Sequence, residues 1–533
     1  MPLPTGIISP RGVRDVAVHI CGAPLERGRH DVAALCRRLD HLPLALELAA
    51  AKTRSLGLAD IERLLLEFDP ALAAVAVDAP DHQRSLGATV AWSFDLLTDR
   101  QREVFAAAAA FLGPFDLRAV ASVAGVGDRE VAPDLVALCD HSLLTFEVGS
   151  GAYTMLEPIR LFAVSRGLVD AALEGRRLTA LIQLAESWDD GGSAGLQETF
   201  ERLRLHWPTV RLAVARAIED GATSSAARLV GACSSYAEAC YAFEVLDWAR
   251  ELIAAGETNP RLATTILRLL GHLGRLEEAE GWVDQVDEST DEVHTELALM
   301  WHRYFRGDLE LTRRHLEGLR KRHRGSGTYA ELIQLTVGHY VAKATDQQYP
   351  EQDVQRLGEL EEDPAYFAQL PARLCRAVRA DWGHEASRVF AELTSIAEEG
   401  RRRHVGLLTG GASTARSILL SLAPADDESA VGLRDAFMTY RELGMWAFAL
   451  ADFAAAAMVL QARGDAATAA MLLGARTQHS YRGDASQLVA DQVRAQLEAS
   501  LGEGFDRCFE EGALTRVSAA TDLAVKALDS TLA

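Results

Sequence analysis

Two short segments carry residue types that are found in hydrolytic sites. Gly191–Gly195 reads GGSAG, which matches the GxSxG nucleophile elbow. That motif holds its serine on a strained turn between a buried strand and a helix. Here it follows the acidic segment Glu186–Asp190, typical of a helix end, so a flexible linker is expected. His384–Arg388 reads HEASR and begins like the HExxH zinc motif, but Arg388 stands where the second histidine ligand belongs. We predict no catalytic residue and no metal ligand.

The positions of the few lysines argue against a nucleotide-binding loop. A phosphate-binding loop of the GxxxxGK[ST] type needs a lysine that reaches the terminal phosphates. The chain has four, Lys52, Lys321, Lys343 and Lys526, and only Lys52 is followed by threonine. An alanine-rich helical segment, not a glycine-rich loop, precedes it. We predict no cofactor, because ATP and ADP would lack their phosphate anchor.

The charge balance argues against general nucleic-acid or anionic-membrane binding. The chain has 54 basic and 76 acidic residues, a net charge of −22, so its average surface repels phosphate. Three basic clusters, Arg313–His315, Arg320–Arg324 and Arg401–His404, lie toward predicted helix ends. Cations are common there because they complement the helix dipole.

The cellular location is predicted from what the sequence lacks. Met1–Cys21 has no uninterrupted apolar region of the kind that marks a signal peptide. The longest apolar runs, Val104–Leu112 and Phe453–Leu460, are too short to span a bilayer. The seven cysteines form no CxxC pair, which disfavours both a zinc knuckle and a disulfide framework. A cytoplasmic protein that does not bind membranes is expected.

Residues 84–170 are predicted to form a winged helix, meaning three helices followed by a β-hairpin. Thr98–Gln101 fits a capping box that starts the first helix, Leu117–Ala124 forms the second, and Val131–Leu144 forms the third. Apolar residues then alternate with polar ones on both sides of Gly149–Gly151, which indicates a hairpin. The candidate recognition helix, Val131–His141, contains two aspartates and no Arg or Lys. Reading of DNA by this helix is therefore disfavoured.

The rest of the chain is predicted to be helical and repetitive. Gly274–Ala279 and Gly307–Thr312 share a glycine turn and lie 33 residues apart, with echoes at Gly383–Ala386 and Gly464–Ala467. A period near 34 residues is typical of tetratricopeptide-like helix pairs, which stack because one pair cannot bury its own apolar face. We predict a mainly α fold, with a tetratricopeptide-like solenoid over residues 171–480 and a helical cap over 481–533.

A family resemblance is carried by five segments in the expected order. Leu35–Ala50 contains HLPLALELAA and resembles the GLPLA segment of NB-ARC-type signal-transduction ATPases, the STAND class. The bacterial AfsR-type and LuxR-type regulators look most similar. Trp92–Leu97, Phe111–Phe115 and Tyr153–Ala163 look like parts of the winged helix of that family. Trp207–Val214 resembles the first helix of its superhelical sensor region.

The resemblance implies that residues 1–83 are a remnant of the helical ARC subdomain. It also implies one weak nucleotide contact, because Pro43 aligns with the proline that packs against adenine in the family. The alternative is a helix-breaking proline that seats two helices in a core. The family's glycine before Leu-Pro-Leu is His41 here, and its Met-His-Asp sensor motif is Met155–Glu157, without the histidine. We therefore predict that the chain does not hydrolyse ATP by itself, despite its resemblance to an ATPase family.

These observations predict a non-enzymatic regulatory protein related to the LuxR and AfsR transcriptional regulators, truncated so that the P-loop core is missing. It would bind a protein or effector through its helical-repeat surface, and an ATPase module supplied elsewhere is one such partner. Two alternatives stay open. The chain is a directly DNA-binding transcriptional regulator, or it is a fragment of a complete ATP-dependent switch whose true start lies upstream of Met1.

Overall fold

The computed structural model describes most of the chain, namely residues 89–189, 192–286, 293–325, 328–345, 347–421, 427–478 and 486–532. The GLPLA-like segment, Pro43 and the whole predicted domain 1–83 lie outside the described residues. The described residues are mainly α-helical, as predicted. They separate into two compact units. We call residues 89–183 with 204–215 the N-terminal unit, and residues 184–203 with 216–532 the helical-repeat unit. The predicted division into four domains stays a prediction.

The N-terminal unit begins with helical residues 89–95 and continues with three helices and a two-stranded antiparallel hairpin. This order is the one predicted for a winged helix. Its elements are α1 (Asp99–Ala109), α2 (Leu117–Ala124), α3 (Asp128–Asp140), β1 (Thr145–Glu147), β2 (Ala152–Thr154), α4 (Glu157–Ser165) and α5 (Ala171–Glu186), of which residues 184–186 belong to the helical-repeat unit.

The helix boundaries of this unit follow from local chemistry. Thr98 and Gln101 form the predicted capping box at the start of α1. Gly125 ends α2 in the left-handed region at φ +74°, a conformation that glycine adopts without steric cost. The prediction for α3 was wrong by three residues at its start and four at its end. It begins after Gly127 and stops before Ser142, whose φ is +56°.

The hairpin is short and its first strand has no buried face. Thr145 pairs with Thr154, and Glu147 pairs with Ala152. Phe146 is 48% exposed and the adjoining Val148 is 85% exposed. The alternating pattern therefore located the hairpin, but only its base enters the core, where Leu144 and Met155 are buried.

Phenylalanine rings pack among alanine, valine and leucine side chains in the core of the N-terminal unit. Phe94 and Phe105 lie with ring centroids 5.2 Å apart, and Phe111 and Phe115 lie 5.1 Å apart. The buried Arg177 donates to the carbonyl oxygen of Ala110 at 2.9 Å, which satisfies a polar group inside this core.

The helical-repeat unit is a succession of packed helices. It also holds a short 3₁₀ turn, Ser187–Asp189. In α6, residues 204–215 belong to the N-terminal unit. The helices are α6 (Gly192–Glu219), α7 (Thr223–Ala232), α8 (Ser234–Cys240), α9 (Glu244–Ala254), α10 (Pro260–His272), α11 (Leu276–Val283), α12 (Val293–Arg306), α13 (Leu309–His323), α14 (Tyr329–Ala344), α15 (Glu351–Glu361), α16 (Tyr366–Arg379), α17 (Trp382–Arg402), α18 (Gly406–Ser421), α19 (Asp427–Leu443), α20 (Trp446–Ala462), α21 (Ala466–Gln478), α22 (Ser486–Leu501), α23 (Gly504–Ala513) and α24 (Val517–Leu532).

The repeated glycine turn is present at three of its four predicted positions. Gly274, Gly307 and Gly464 follow α10, α12 and α20, with φ of +68°, +77° and +95°. The N–H after each glycine donates to the carbonyl five residues earlier, which is the Schellman arrangement that ends a helix. The fourth prediction was wrong, because Gly383 lies within the first turn of α17. Among the described helices, none combines the length and apolarity needed to cross a membrane.

Candidate functional site

A pocket in the helical-repeat unit is the candidate functional site. Four helices, α12, α14, α16 and α18, supply most of its wall, and Ala239 of α8 and Phe448 of α20 complete it. The cavity volume is about 70 Å³, and the pocket is partly open to solvent.

Helical spacing places the pocket residues on shared faces. On α12, Trp301 and Phe305 are four residues apart and stack with ring centroids 5.2 Å apart. On α14, Thr336 and Tyr340 are also four apart, and both line the pocket with Gly411 of α18. Residues at this spacing lie one above the other on a helix. Two of the wall helices, α14 and α18, are themselves buried along most of their length.

The pocket has a buried floor and a half-buried rim. Trp301, Phe305 and Leu374 are at most 5% exposed and form the floor. Tyr340 and Phe448 lie at the rim and are intermediate in exposure. Aromatic groups at both levels offer a large apolar contact area to an occupant.

Three hydroxyl groups of the pocket form hydrogen bonds within the protein. The Tyr340 hydroxyl donates to the carbonyl oxygen of Gly411 at 3.0 Å. Thr336 donates to the carbonyl of Leu332 at 2.8 Å, and the Thr414 hydroxyl shares a hydrogen bond with another side chain, at 3.2 Å. No Asp, Glu, Lys or Arg is among the described residues that line the pocket. The site can bind an apolar group.

A buried ionic network lies directly behind the pocket floor. Glu238 accepts a hydrogen bond from Trp301 Nε1 at 2.6 Å and is ion-paired with Arg268. His272 Nε2 lies 3.5 Å from the same carboxylate. All three ionisable side chains are fully buried. Burial alone would raise the pKa of Glu238, but the Arg268 guanidinium, with His272 beside it, holds that pKa below its usual value. The network therefore fixes the indole that forms part of the floor.

A second buried group predicts acid sensitivity. His339 on α14 is 1% exposed and stacks on Tyr349 with centroids 4.5 Å apart. Burial lowers its pKa to about 4, whereas a histidine in an unfolded chain has a pKa of about 6.5. The unfolded chain therefore binds the proton first. Stability from neutral His339 is complete above pH 6.5 and is lost as the pH falls from there through about 4.

The variant His339→Phe tests this titration. Between pH 6.5 and about 4, its unfolding free energy is expected to depend less steeply on pH than that of the wild type. The difference in slope corresponds to the uptake of up to about one proton on unfolding. Urea denaturation at half-unit pH steps measures the slope. An unchanged slope would show that His339 does not titrate in this window.

The serine of the GxSxG match is not a nucleophile elbow. Ser193 lies in the first turn of α6, so the predicted linker was wrong from Gly192 onward. The described residues that lead up to it, Ala171–Asp189, form a helix and a 3₁₀ turn and not a strand. The serine hydroxyl donates to Asp363 at 2.6 Å, which ties the start of α6 to the segment before α16. The physical role seen for this serine is structural.

The HEASR segment also lacks the geometry of a metal site. His384 is exposed and contacts Asp381 at 2.7 Å. Arg388 pairs with Glu385, the residue that would act as a base in a zinc peptidase. Among the described residues, no group of three or more His, Cys, Asp or Glu side chains could hold a metal ion.

Two of the basic clusters lie at helix ends as predicted, Arg320–Arg324 at the end of α13 and Arg401–His404 at the end of α17. The prediction was wrong for Arg313–His315, which lies in the first half of α13. Near the end of α13, Arg320 contacts Asp353 at 2.7 Å and Arg322 contacts Glu296 at 2.6 Å. Arg403, just after α17, contacts Glu399 at 2.8 Å. These cations are partly neutralised and do not form an open anion site.

The candidate recognition helix is acidic. Because α3 begins at Asp128, it includes Arg129, which the sequence boundary had left out, and also Glu130. Asp134 accepts a hydrogen bond from Arg100 of α1 at 2.9 Å. One cation among several carboxylates makes a poor surface for a phosphate backbone.

No motif in the sequence pointed directly to the pocket. Its wall joins Ala239 to Phe448, which are far apart in the chain. Only the presence of stacked amphipathic helices could have suggested a concave apolar site. The aromatic spacing of Trp301 and Phe305 was visible, but it is equally typical of a filled core.

Comparison with known proteins shows that part of the chain is similar to a transcriptional regulator. No protein-family model matches the chain. A candidate HTH-type transcriptional regulator of Mycobacterium tuberculosis (strain ATCC 25618 / H37Rv) is 32% identical over 210 residues, 38% of this chain and 24% of that protein. An uncharacterized protein of the same organism is 33% identical over 153 residues, 27% of this chain and 39% of that protein. The matched part of the chain thus spans about a quarter of the first relative.

One solved structure is similar over most of the chain. It is a Signal Transduction ATPase with Numerous Domains, with a tetratricopeptide repeat sensor, from Pyrococcus horikoshii. The match covers 94% of this chain and 75% of that one, with 13% identity and a TM-score of 0.36.

Proposed function

We propose that the chain is a regulatory protein of the bacterial transcriptional-regulator type, which works by binding a protein or effector through its helical-repeat unit. It does so in the cytoplasm, without catalysis and without a nucleotide cofactor. The similarity to an HTH-type transcriptional regulator supports the regulatory part of the proposal. The AfsR and LuxR resemblance supports the finer assignment within that class.

One observation carries the binding part of the proposal. The pocket between α12, α14, α16 and α18 is apolar, open at one side and lined by no charged residue in the described part of the chain. Catalysis of acyl or phosphoryl transfer needs a positioned acid, base, nucleophile or metal. Binding needs only shape and apolar area, and the pocket offers both.

The regulatory role is tested by removing the gene from its native host. Transcript levels are expected to change reproducibly in the deletion strain, and to return when the wild-type chain is restored. The purified chain should also turn over no ATP above a protein-free blank. An unchanged transcript profile would contradict the regulatory role, and ATP turnover at a steady rate would contradict the non-catalytic one.

Direct DNA reading is the second candidate, favoured by the name of the regulator to which the chain is similar. The acidic α3 helix argues against it. Fluorescence anisotropy with a labelled 30-base-pair duplex in 50 mM salt is expected to show no saturable binding by the intact chain. Low salt is the most permissive condition, since phosphate contacts strengthen as counterions are diluted. Binding that weakens as salt is added would favour the DNA-reading alternative.

A further inference from the structure

The pocket in the helical-repeat unit has a chemistry that selects among effectors. Its floor is aromatic, and the hydroxyls of Tyr340, Thr336 and Thr414 are already engaged. A charged ligand would lose its hydration on entering the pocket, and its charged group would find no partner at the wall. This desolvation is costly in an apolar site. An uncharged ligand with aromatic or aliphatic surface would lose little and gain contact area.

The dimensions of the pocket favour a small molecule over a peptide. Helices surround the space, and its volume is about 70 Å³. A peptide strand needs an open sheet edge, and a peptide helix needs a long groove with several anchors. The described part of the helical-repeat unit contains no strand, so the first of these modes has no edge to use.

We propose that this pocket binds a small, uncharged, mainly apolar effector, with its rings against Trp301 and Phe305 and its outer end between Tyr340 and Phe448. The inference rests on the proposed regulatory function and specifies the ligand class for it. The Glu238 network behind the indole keeps the floor rigid before the ligand arrives. A preformed wall reduces the ordering cost of binding.

Gly411 allows the pocket to be narrowed without damage to the fold. A Cβ at this position would meet Leu374 Cδ2 at 3.5 Å and the Tyr340 hydroxyl at 3.6 Å. Both distances are ordinary van der Waals contacts, and both atoms belong to pocket residues. Gly411 lies inside α18, where alanine is a better helix former than glycine. The variant Gly411→Ala should therefore fold at least as well as the wild type while filling part of the site.

Gly358 on α15 supplies the matched control. It also lies inside a helix, it is exposed, and a Cβ there would meet nothing within 4 Å. The variant Gly358→Ala brings the same gain in helix propensity and leaves the pocket unchanged. Both variants are expected to raise the midpoint of thermal unfolding slightly, by about 1–3 °C.

The test uses two fluorescent probes with the same ring systems. N-phenyl-1-naphthylamine is uncharged, and 8-anilinonaphthalene-1-sulfonate adds one sulfonate. The full chain is expected to bind the uncharged probe saturably at one site, and to bind the sulfonate at least about tenfold more weakly. Gly411→Ala should weaken binding of the uncharged probe by about tenfold, and Gly358→Ala should not change it.

Three results would overturn the inference: no saturable binding of the uncharged probe, equal affinity for both probes, or equal affinity of the wild type and Gly411→Ala. A protein partner whose binding responds to Gly411→Ala while the probe's does not would also overturn it, in favour of a protein-docking pocket. None of these results changes the outcome expected when the gene is deleted and the wild-type chain is restored. Failure of the ligand class and failure of the regulatory function are therefore distinguishable.

Discussion

The variant Glu238→Ala is expected to lose about 3–5 kcal/mol of unfolding free energy, the usual cost when one partner of a buried ion pair is removed. Arg268 would keep its charge in a fully buried site with no carboxylate opposite it. Trp301 would lose the acceptor that holds its indole at 2.6 Å. Urea unfolding followed by tryptophan fluorescence measures the loss.

Two further variants separate the charge effect from general damage. Replacing both Glu238 and Arg268 by residues of similar size, Gln and Met, should restore much of the stability, because no uncompensated charge stays buried. Glu186→Ala removes an exposed pair with Arg228 and should leave the unfolding midpoint unchanged. Equal midpoints for Glu238→Ala and Glu186→Ala would show that the buried network does not stabilise the unit.

The variant Gly474→Ala is expected to destabilise the helical-repeat unit by about 3 kcal/mol or more, since overpacking against backbone cannot be relieved by a side-chain rotation. A Cβ on Gly474 of α21 would collide with the carbonyl oxygen of Phe509 on α23. The contact is reciprocal, because a Cβ on Gly512 would collide with the carbonyl oxygen of Met471. The two helices therefore cross backbone to backbone at paired glycines.

This second prediction is measured against the other helical glycines. Gly474→Ala and Gly512→Ala should lower the thermal midpoint, whereas Gly358→Ala and Gly411→Ala should raise it. The shift in the thermal midpoint caused by a Gly→Ala substitution thus changes sign with the space around the added Cβ. A raised midpoint for Gly474→Ala would contradict the close crossing of α21 and α23.

Local signals in the sequence predicted local structure well. Thr98 and Gln101 located the start of α1, and Gly125 located the end of α2, because caps depend on residues within one helical turn. The glycine turns at Gly274 and Gly307 were predictable for the same reason. At Gly383 the letters matched but the helix had already begun, since glycine is tolerated in a first turn and required only at a left-handed end.

The candidate site could not be predicted in the same way. Trp301, Tyr340 and Gly411 lie on three helices, and only tertiary packing decides whether their faces enclose a space or fill it. Glu238 gave no signal either, because an isolated acid in a helical segment reads as a solvated surface residue. The partners of a buried charge become visible only when the helices are packed together.

The central claim is that regulation depends on binding in the helical-repeat unit and not on DNA reading by α3. The most direct measurement is the transcript profile of the deletion host carrying the wild type, Arg129→Ala or Gly411→Ala at equal protein abundance. Arg129 is the basic residue of α3, and Gly411 lines the pocket. Arg129→Ala is predicted to restore the profile as the wild type does, and Gly411→Ala is predicted to fail. Restoration by Gly411→Ala together with failure of Arg129→Ala would contradict the account.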